Sequence, residues 1–176
     1  MAEVTTQMVK ELRERTGAGI KECRDILVQT NGDLNAAVEE LAKKGLRVSE
    51  KVQGREAREG RIEVYMHAGN RMAAMVEVNC ETDFVARTED FIALAKDIAL
   101  HIAAMNPRYI RPEDVPEAEL KESGESPEKF YEANVLLSQY FVRDGSQTIE
   151  DKIKATVAKV RENIVISRFV RYEIGA

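Results

Sequence analysis

Two cysteines, Cys23 and Cys80, and two histidines, His67 and His101, are the side chains best suited to nucleophilic or metal chemistry. A thiol becomes a nucleophile when an imidazole within hydrogen-bond reach takes its proton and a third group orients that imidazole. Cys80, Glu81 and His101 are the nearest approach to such a set, yet their spacing supplies no orienting group. The cysteines are too few and too far apart for a disulfide framework or a metal cluster, and neither histidine has a ligand-spaced neighbour. No covalent catalysis, metal or cofactor is expected.

A different kind of chemistry is offered by EVNCETDFVAR, Glu77 to Arg87. Val76 and Val78 alternate with Glu77 and Asn79 as in a strand, whereas Thr82 and Asp83 are residues that end strands and cap helices. Phe84 then sits on a connection. Connections run over the surface, so this ring either folds back onto the core or is held out for a partner. Spacing alone favours the inward position, because phenylalanine is usually buried; Asp83 would then serve only as a helix cap.

The elements around that connection must come from 176 residues, enough for one or two domains with a real core. Apolar residues make up 44% and charged ones 32%, the composition of an ordinary soluble protein. A net charge of -5 disfavours direct nucleic-acid binding, which needs a basic face. No apolar run is long enough to cross a bilayer, and Met1 to Lys10 lacks the apolar segment of a secretory signal, so a cytoplasmic protein without membrane contact is expected.

Residues 1–46 predict a three-helix bundle. Thr5 or Thr6 caps the first helix, which carries Met8, Val9 and Leu12 and breaks at Gly17-Ala18-Gly19. Ile20, Cys23, Ile26 and Leu27 stripe the second, ended by Asn31-Gly32; Asp33 caps the third, with Leu34, Ala37, Val38 and Leu41, and Gly45 is expected to stop it. Residues 47–60 lose apolar periodicity and read as a linker or a loosely held helix, with the solvated spacer favoured. Residues 61–176 form the expected core. Arg61–His67 and Arg71–Cys80 alternate around Gly69-Asn70, a hairpin with Ile62, Val64 and Met66 on one face and Tyr65 and His67 on the other. Thr88 caps a helix to Met105, buried through Phe91, Leu94, Ala95, Ile98, Ile102 and Ala103. Exposed irregular chain precedes a helix from Glu128 to Phe141, a turn at Asp144-Gly145, and a helix from Thr148 to Arg161.

The chain closes on a strand, Ile164–Ile174, which must return to the hairpin and complete a three-stranded antiparallel sheet packed on helices, an α+β fold. Period-two counting places Val165, Ser167 and Phe169 on one face and Ile166, Val170 and Tyr172 on the other. Both faces are too apolar for one to remain wet, which points to a homodimer built through the core sheet.

LRERTGAGIKEC, Leu12 to Cys23, and EVNCETDFVAR together resemble the two signatures of the elongation factor Ts family, the nucleotide exchange factors for the GTPase elongation factor Tu. The resemblance extends through NGDLNAAVEELAKKG, HIAAMNPRYIRPEDV and RENIVISRFVRYEIGA, nearly the whole chain. It implies a ubiquitin-associated-like bundle followed by an α/β core. Longer members carry two tandem core sheets and a coiled-coil insertion; this chain has one sheet and a shortened 117–140 region, and compact members complete themselves with a second subunit.

The resemblance also implies which residues meet the GTPase. The Thr82, Asp83, Phe84, Val85 loop would be held outward as the exchange element, with Phe84 the intruding ring and Asp83 its polar companion. Arg13, Ile20, Lys21 and Arg24 of the bundle would meet the nucleotide domain, and His67, at the strand turn, would touch the GTPase away from its nucleotide. By residue type alone, Arg13, Lys21 and Arg24 are a solvated face and His67 an exposed turn residue. The main rival function is a plain interaction module whose bundle takes ubiquitin-like or peptide ligands, which leaves the TDFV loop and the returning strand without a role.

Overall fold

In the computed structural model, which describes residues 4–176, α1 (Thr6–Thr16) opens on Thr5, whose hydroxyl accepts the Met8 N–H at 3.3 Å. It closes on Gly17, at φ 68°, a left-handed cap that suits glycine. α2 (Ile20–Gln29) follows Gly19, and α3 (Leu34–Val52) is capped by Asp33, whose carboxylate accepts from Asn35 and Ala36 N–H at 2.9 and 3.0 Å. Leu12, Cys23, Ile26, Leu27 and Ala37 are buried together between these three helices.

The third helix does not stop at Gly45. It continues to Val52, so residues expected as solvated spacer are helical. Gly45 is a packing glycine: a Cβ there would sit 3.0 Å from the Ala158 Cβ. Beyond it, Val52 is buried in the main core and Val48 packs against it, which draws the helix on.

β1 (Glu59–Met66) and β2 (Met72–Cys80) form the expected hairpin, turning through Gly69 and Asn70 at φ 86° and 54°. A four-residue helix, α4 (Asp83–Ala86), leads to α5 (Glu89–Met105), which is capped by Thr88 and ends on Asn106 in the left-handed region. α6 (Glu117–Ser123) and α7 (Pro127–Asn134) follow, then β3 (Tyr140–Phe141), β4 (Asp144–Thr148), α8 (Ile149–Val160) and β5 (Val165–Glu173).

The helix expected from Glu128 to Phe141 is thus corrected. It ends at Asn134, where Val135 turns extended, and the Asn134 carbonyl accepts from Arg108 and Tyr109 N–H at 2.8 and 3.1 Å. Val135 and Leu136 are buried, and Phe141 pairs with Asp144, so Asp144-Gly145 opens a strand and Val142-Arg143 makes the turn.

The sheet order is β1-β2-β5, antiparallel throughout. Its inner face carries Ala74, Val76 and Val78 against Phe91, Leu94, Ala95, Ile98 and Ile102 of α5, with Ile149, Ile153 and Val157 of α8 in the same core. At roughly 1.5–3 kcal/mol for each large side chain fully buried, these residues dominate the stability of the fold. A register shift between Glu77 and Val78 corrects the face of Ile166: it pairs with Val78 and is buried beside inward Phe169, while Val170 and Tyr172 stay outside.

Candidate functional site

Thr82, extended at φ -129° and ψ 152°, caps α4 with its hydroxyl, which accepts the Val85 N–H at 3.4 Å. Two residues of that turn anchor it: Val85 packs against the core and Ala86 is buried. On a helix, anchoring positions 85 and 86 inward turns position 84 away. Phe84 is 78% exposed, which corrects the inward position that spacing favoured. Nor is Asp83 a cap, since Thr82 and Thr88 fill those places; its carboxylate lies 2.9 Å from Arg87 Nη2, a half-open surface pair.

The turn is held from a distant part of the chain. Glu162, between α8 and β5, accepts the Glu81 and Thr82 N–H groups on Oε2 at 3.1 and 3.0 Å and the Thr82 hydroxyl on Oε1 at 2.7 Å. Glu81 answers by accepting the Asn163 N–H at 2.8 Å, and the Asn163 amide donates to the Arg55 carbonyl at 2.7 Å. Sequence reasoning passed over Glu162. The only signal for it was its place in RENIV, beside a charged residue at a helix end.

In the bundle, Ile20, Lys21 and Arg24 are exposed on α2, with Ile20 and Arg24 one turn apart and Val28 extending the same outer row. Val28 was not anticipated; its place eight residues beyond Ile20 was the available signal. Arg13 is exposed on the last turn of α1, its carbonyl accepting the Gly17 N–H. His67 is exposed at the hairpin turn, Nδ1 3.1 Å from the Tyr65 hydroxyl. β2, nine residues long, separates His67 from the Thr82 turn by roughly 30 Å, so the structure does not bring them together.

Cys80 and His101 are each occupied structurally. The Cys80 thiol donates to the Thr82 carbonyl at 3.1 Å, and burial, then the Glu162 charge, push its pKa up to about 11. It is therefore a thiol, not a thiolate, at neutral pH. His101 is buried, accepts the Val142 N–H on Nδ1 at 3.2 Å and so carries its proton on Nε2, 3.0 Å from the Gln139 side-chain Oε1. Burial lowers its pKa despite that bond. Among the described residues no three histidines, cysteines or carboxylates are grouped to hold a metal, and no helix is long and apolar enough to cross a membrane.

A second surface lies on the outer face of the sheet. Ile62, Val64 and Met66 of β1 are exposed beside Met75 of β2 and Tyr172 of β5. The register makes the patch continuous: Val64 faces Met75, which faces Val170, and Met66 faces Ala73, which faces Tyr172. Arg168 and Glu77, 2.7 Å apart, border it.

Comparison with known proteins gives a family match along the whole length. A family model described as elongation factor Ts matches residues 1–176. Proteins named elongation factor Ts from Herpetosiphon aurantiacus, Fervidobacterium nodosum and Thermoanaerobacter sp. are similar to the chain at 48%, 46% and 45% identity, covering 98% of it and 98%, 99% and 95% of themselves. Those alignments run over 194 or 195 positions, more than the 176 residues here, so the relatives carry segments that this chain lacks.

Proposed function

The chain belongs to the elongation factor Ts family, and on that premise we propose that it releases GDP from elongation factor Tu by inserting the Thr82–Val85 turn beside the nucleotide and its magnesium ion. A GTPase holds its nucleotide through backbone N–H groups, a lysine and magnesium, so affinity depends on their joint geometry. A ring driven into that ground disturbs all of them together, and no bond is made or broken. Phe84 supplies the ring, whose burial in a partner is worth roughly 2–4 kcal/mol at a hot spot. Asp83 supplies a polar contact beside it, and Thr82 and Val85 fix the turn.

The single observation that carries this reading is the 78% exposure of Phe84 on a turn that is otherwise capped, anchored and hydrogen-bonded. A monomer gains nothing from leaving a phenylalanine ring in water. In the proposed complex the bundle of residues 1–46 docks separately through Arg13, Ile20, Lys21 and Arg24. The core, joined to the bundle through the last turns of α3, brings the turn, and His67 makes a contact remote from the nucleotide. The outer sheet face, Ile62, Val64, Met66, Met75, Val170 and Tyr172, is covered by the same face of a second copy. The setting is the cytoplasm, where translation supplies the partner.

Linkage fixes one consequence: the factor binds nucleotide-free elongation factor Tu more tightly than the GDP form, by the factor through which it weakens GDP. Gel filtration with nucleotide-free elongation factor Tu should give a co-eluting complex that added GDP dissociates. Separate elution in the absence of nucleotide contradicts the proposal.

A further inference from the structure

We infer that Glu162 is a positioning residue for exchange: it never meets the GTPase, but it sets the angle at which Phe84 is presented. The inference rests on the exchange role of the turn and adds the part of the molecule that aims it.

α4 has four residues, too few to hold a helix by its own hydrogen bonds. Just before it, the Glu81 and Thr82 N–H groups have left the ladder of β2 and need acceptors. One carboxylate oxygen of Glu162 takes both, and the other takes the Thr82 hydroxyl, charge-assisted bonds from a residue 80 positions away in sequence. These bonds fix the backbone at the cap, and the direction of Phe84, two residues on, follows from it. Val85 and Ala86 turn position 84 away from the core, but apolar contact is not directional in itself and leaves the finer angle of the ring to the bonds at the cap.

The clamp is two-sided. While Glu162 binds the backbone before α4, the Glu81 carboxylate binds the backbone after α8 through the Asn163 N–H, so neither connection can shift without breaking the other's bonds. The same stretch of chain reaches the bundle and α5. Arg161, in the left-handed cap of α8, lies 3.7 Å from Glu22 of α2, and Lys159 binds Asp90 of α5 at 2.9 Å. The segment 159–163 therefore touches both the element that presents Phe84 and the helix that carries Ile20, Lys21 and Arg24.

The test measures GDP release from elongation factor Tu against factor concentration for unchanged protein, Glu162→Ala, Glu162→Gln, Phe84→Ala and the double variant Phe84→Ala/Glu162→Ala. Glu162→Ala is expected to lower the saturating rate about tenfold while the half-saturating concentration stays within about threefold, because the ring is misaimed and the bundle still docks. Glu162→Gln keeps an amide oxygen for the two N–H groups and should recover most of the rate. In the Phe84→Ala background, Glu162→Ala should cost less than about twofold more, since there is no ring left to aim. A residue that merely stabilised the fold would lower the melting temperature and leave the saturating rate alone.

Full saturating activity of Glu162→Ala, or effects that multiply in the double variant, overturns the inference. If Glu162→Ala does not fold, Glu162→Asp, which withdraws the carboxylate by one methylene, makes the same comparison. Phe84→Ala at full rate would remove the exchange role of the turn itself, and the inference with it; Phe84→Ala slow with Glu162→Ala fast removes only the role of Glu162.

Discussion

The Phe84 turn and the outer face of the sheet both leave apolar side chains in water, yet they are built from opposite materials. The turn offers one ring on four residues of helix, and its rigidity comes from polar bonds to Glu162. The sheet face offers Ile62, Val64, Met66, Met75 and Tyr172 on strands whose backbones are already paired, so it is broad and needs no further support. A narrow projection suits insertion into a partner that must later be released. A flat apolar area suits a lasting contact, because stable interfaces bury on the order of 1,200–2,000 Å². Exposed apolar surface therefore does not define one kind of site; what holds it in place tells the two apart.

Substitutions on each surface should act on one function and spare the other. The largest change is expected at the sheet: Val64→Lys with Met75→Lys sets charges facing one another across β1 and β2, and should weaken the proposed dimer by about 100-fold or more, since unpaired charges resist burial. Sedimentation velocity checks it, and a dimer that persists at low micromolar concentration removes the face from the assembly. Next, Phe84→Ala should slow GDP release by about tenfold, or about 1.4 kcal/mol of barrier, while leaving sedimentation unchanged. A shift in association state would mean that the two surfaces are one.

A smaller effect is expected from Arg24→Glu on the bundle, about fivefold weaker binding to elongation factor Tu by titration calorimetry, on the order of 1 kcal/mol. The saturating release rate should not move. The smallest concerns neither surface. His101 resists protonation because it is buried, so the unfolded chain takes up its proton first. Its contribution to stability is complete above the unfolded pKa of about 6.5 and is lost as pH falls below that towards the lower folded value. The melting temperature should therefore drop more steeply between neutral and mildly acid pH for the unchanged chain than for His101→Gln; parallel curves would remove His101 from the acid response.

The features legible in the sequence are those governed by local rules. Gly17 ends α1, Gly69-Asn70 turns the hairpin and Thr88 starts α5 because each meets a requirement set by its immediate neighbours. What escaped was decided at a distance. Gly45 looked like a helix stop and is a close contact with Ala158. Ile166 was put on the wrong face because a register shift is invisible to counting by twos. β4, reading DGSQT, has no apolar alternation to announce it. For the candidate site, the signatures shared with the family marked the Phe84 turn, whereas residue preference alone buried the ring. Glu162 could not be found from either, since its partners lie 80 positions away and two of them are backbone.

Stopped-flow release of a fluorescent GDP from elongation factor Tu, driven by saturating unchanged protein or Phe84→Ala, with magnesium present and with it chelated, decides whether the exposed ring drives exchange. With magnesium present the variant should be slower by about tenfold or more, and chelation should narrow that gap to less than about threefold, because the ring then has less left to disturb. Equal rates for the two proteins in magnesium would contradict the claim that this one exposed ring drives exchange.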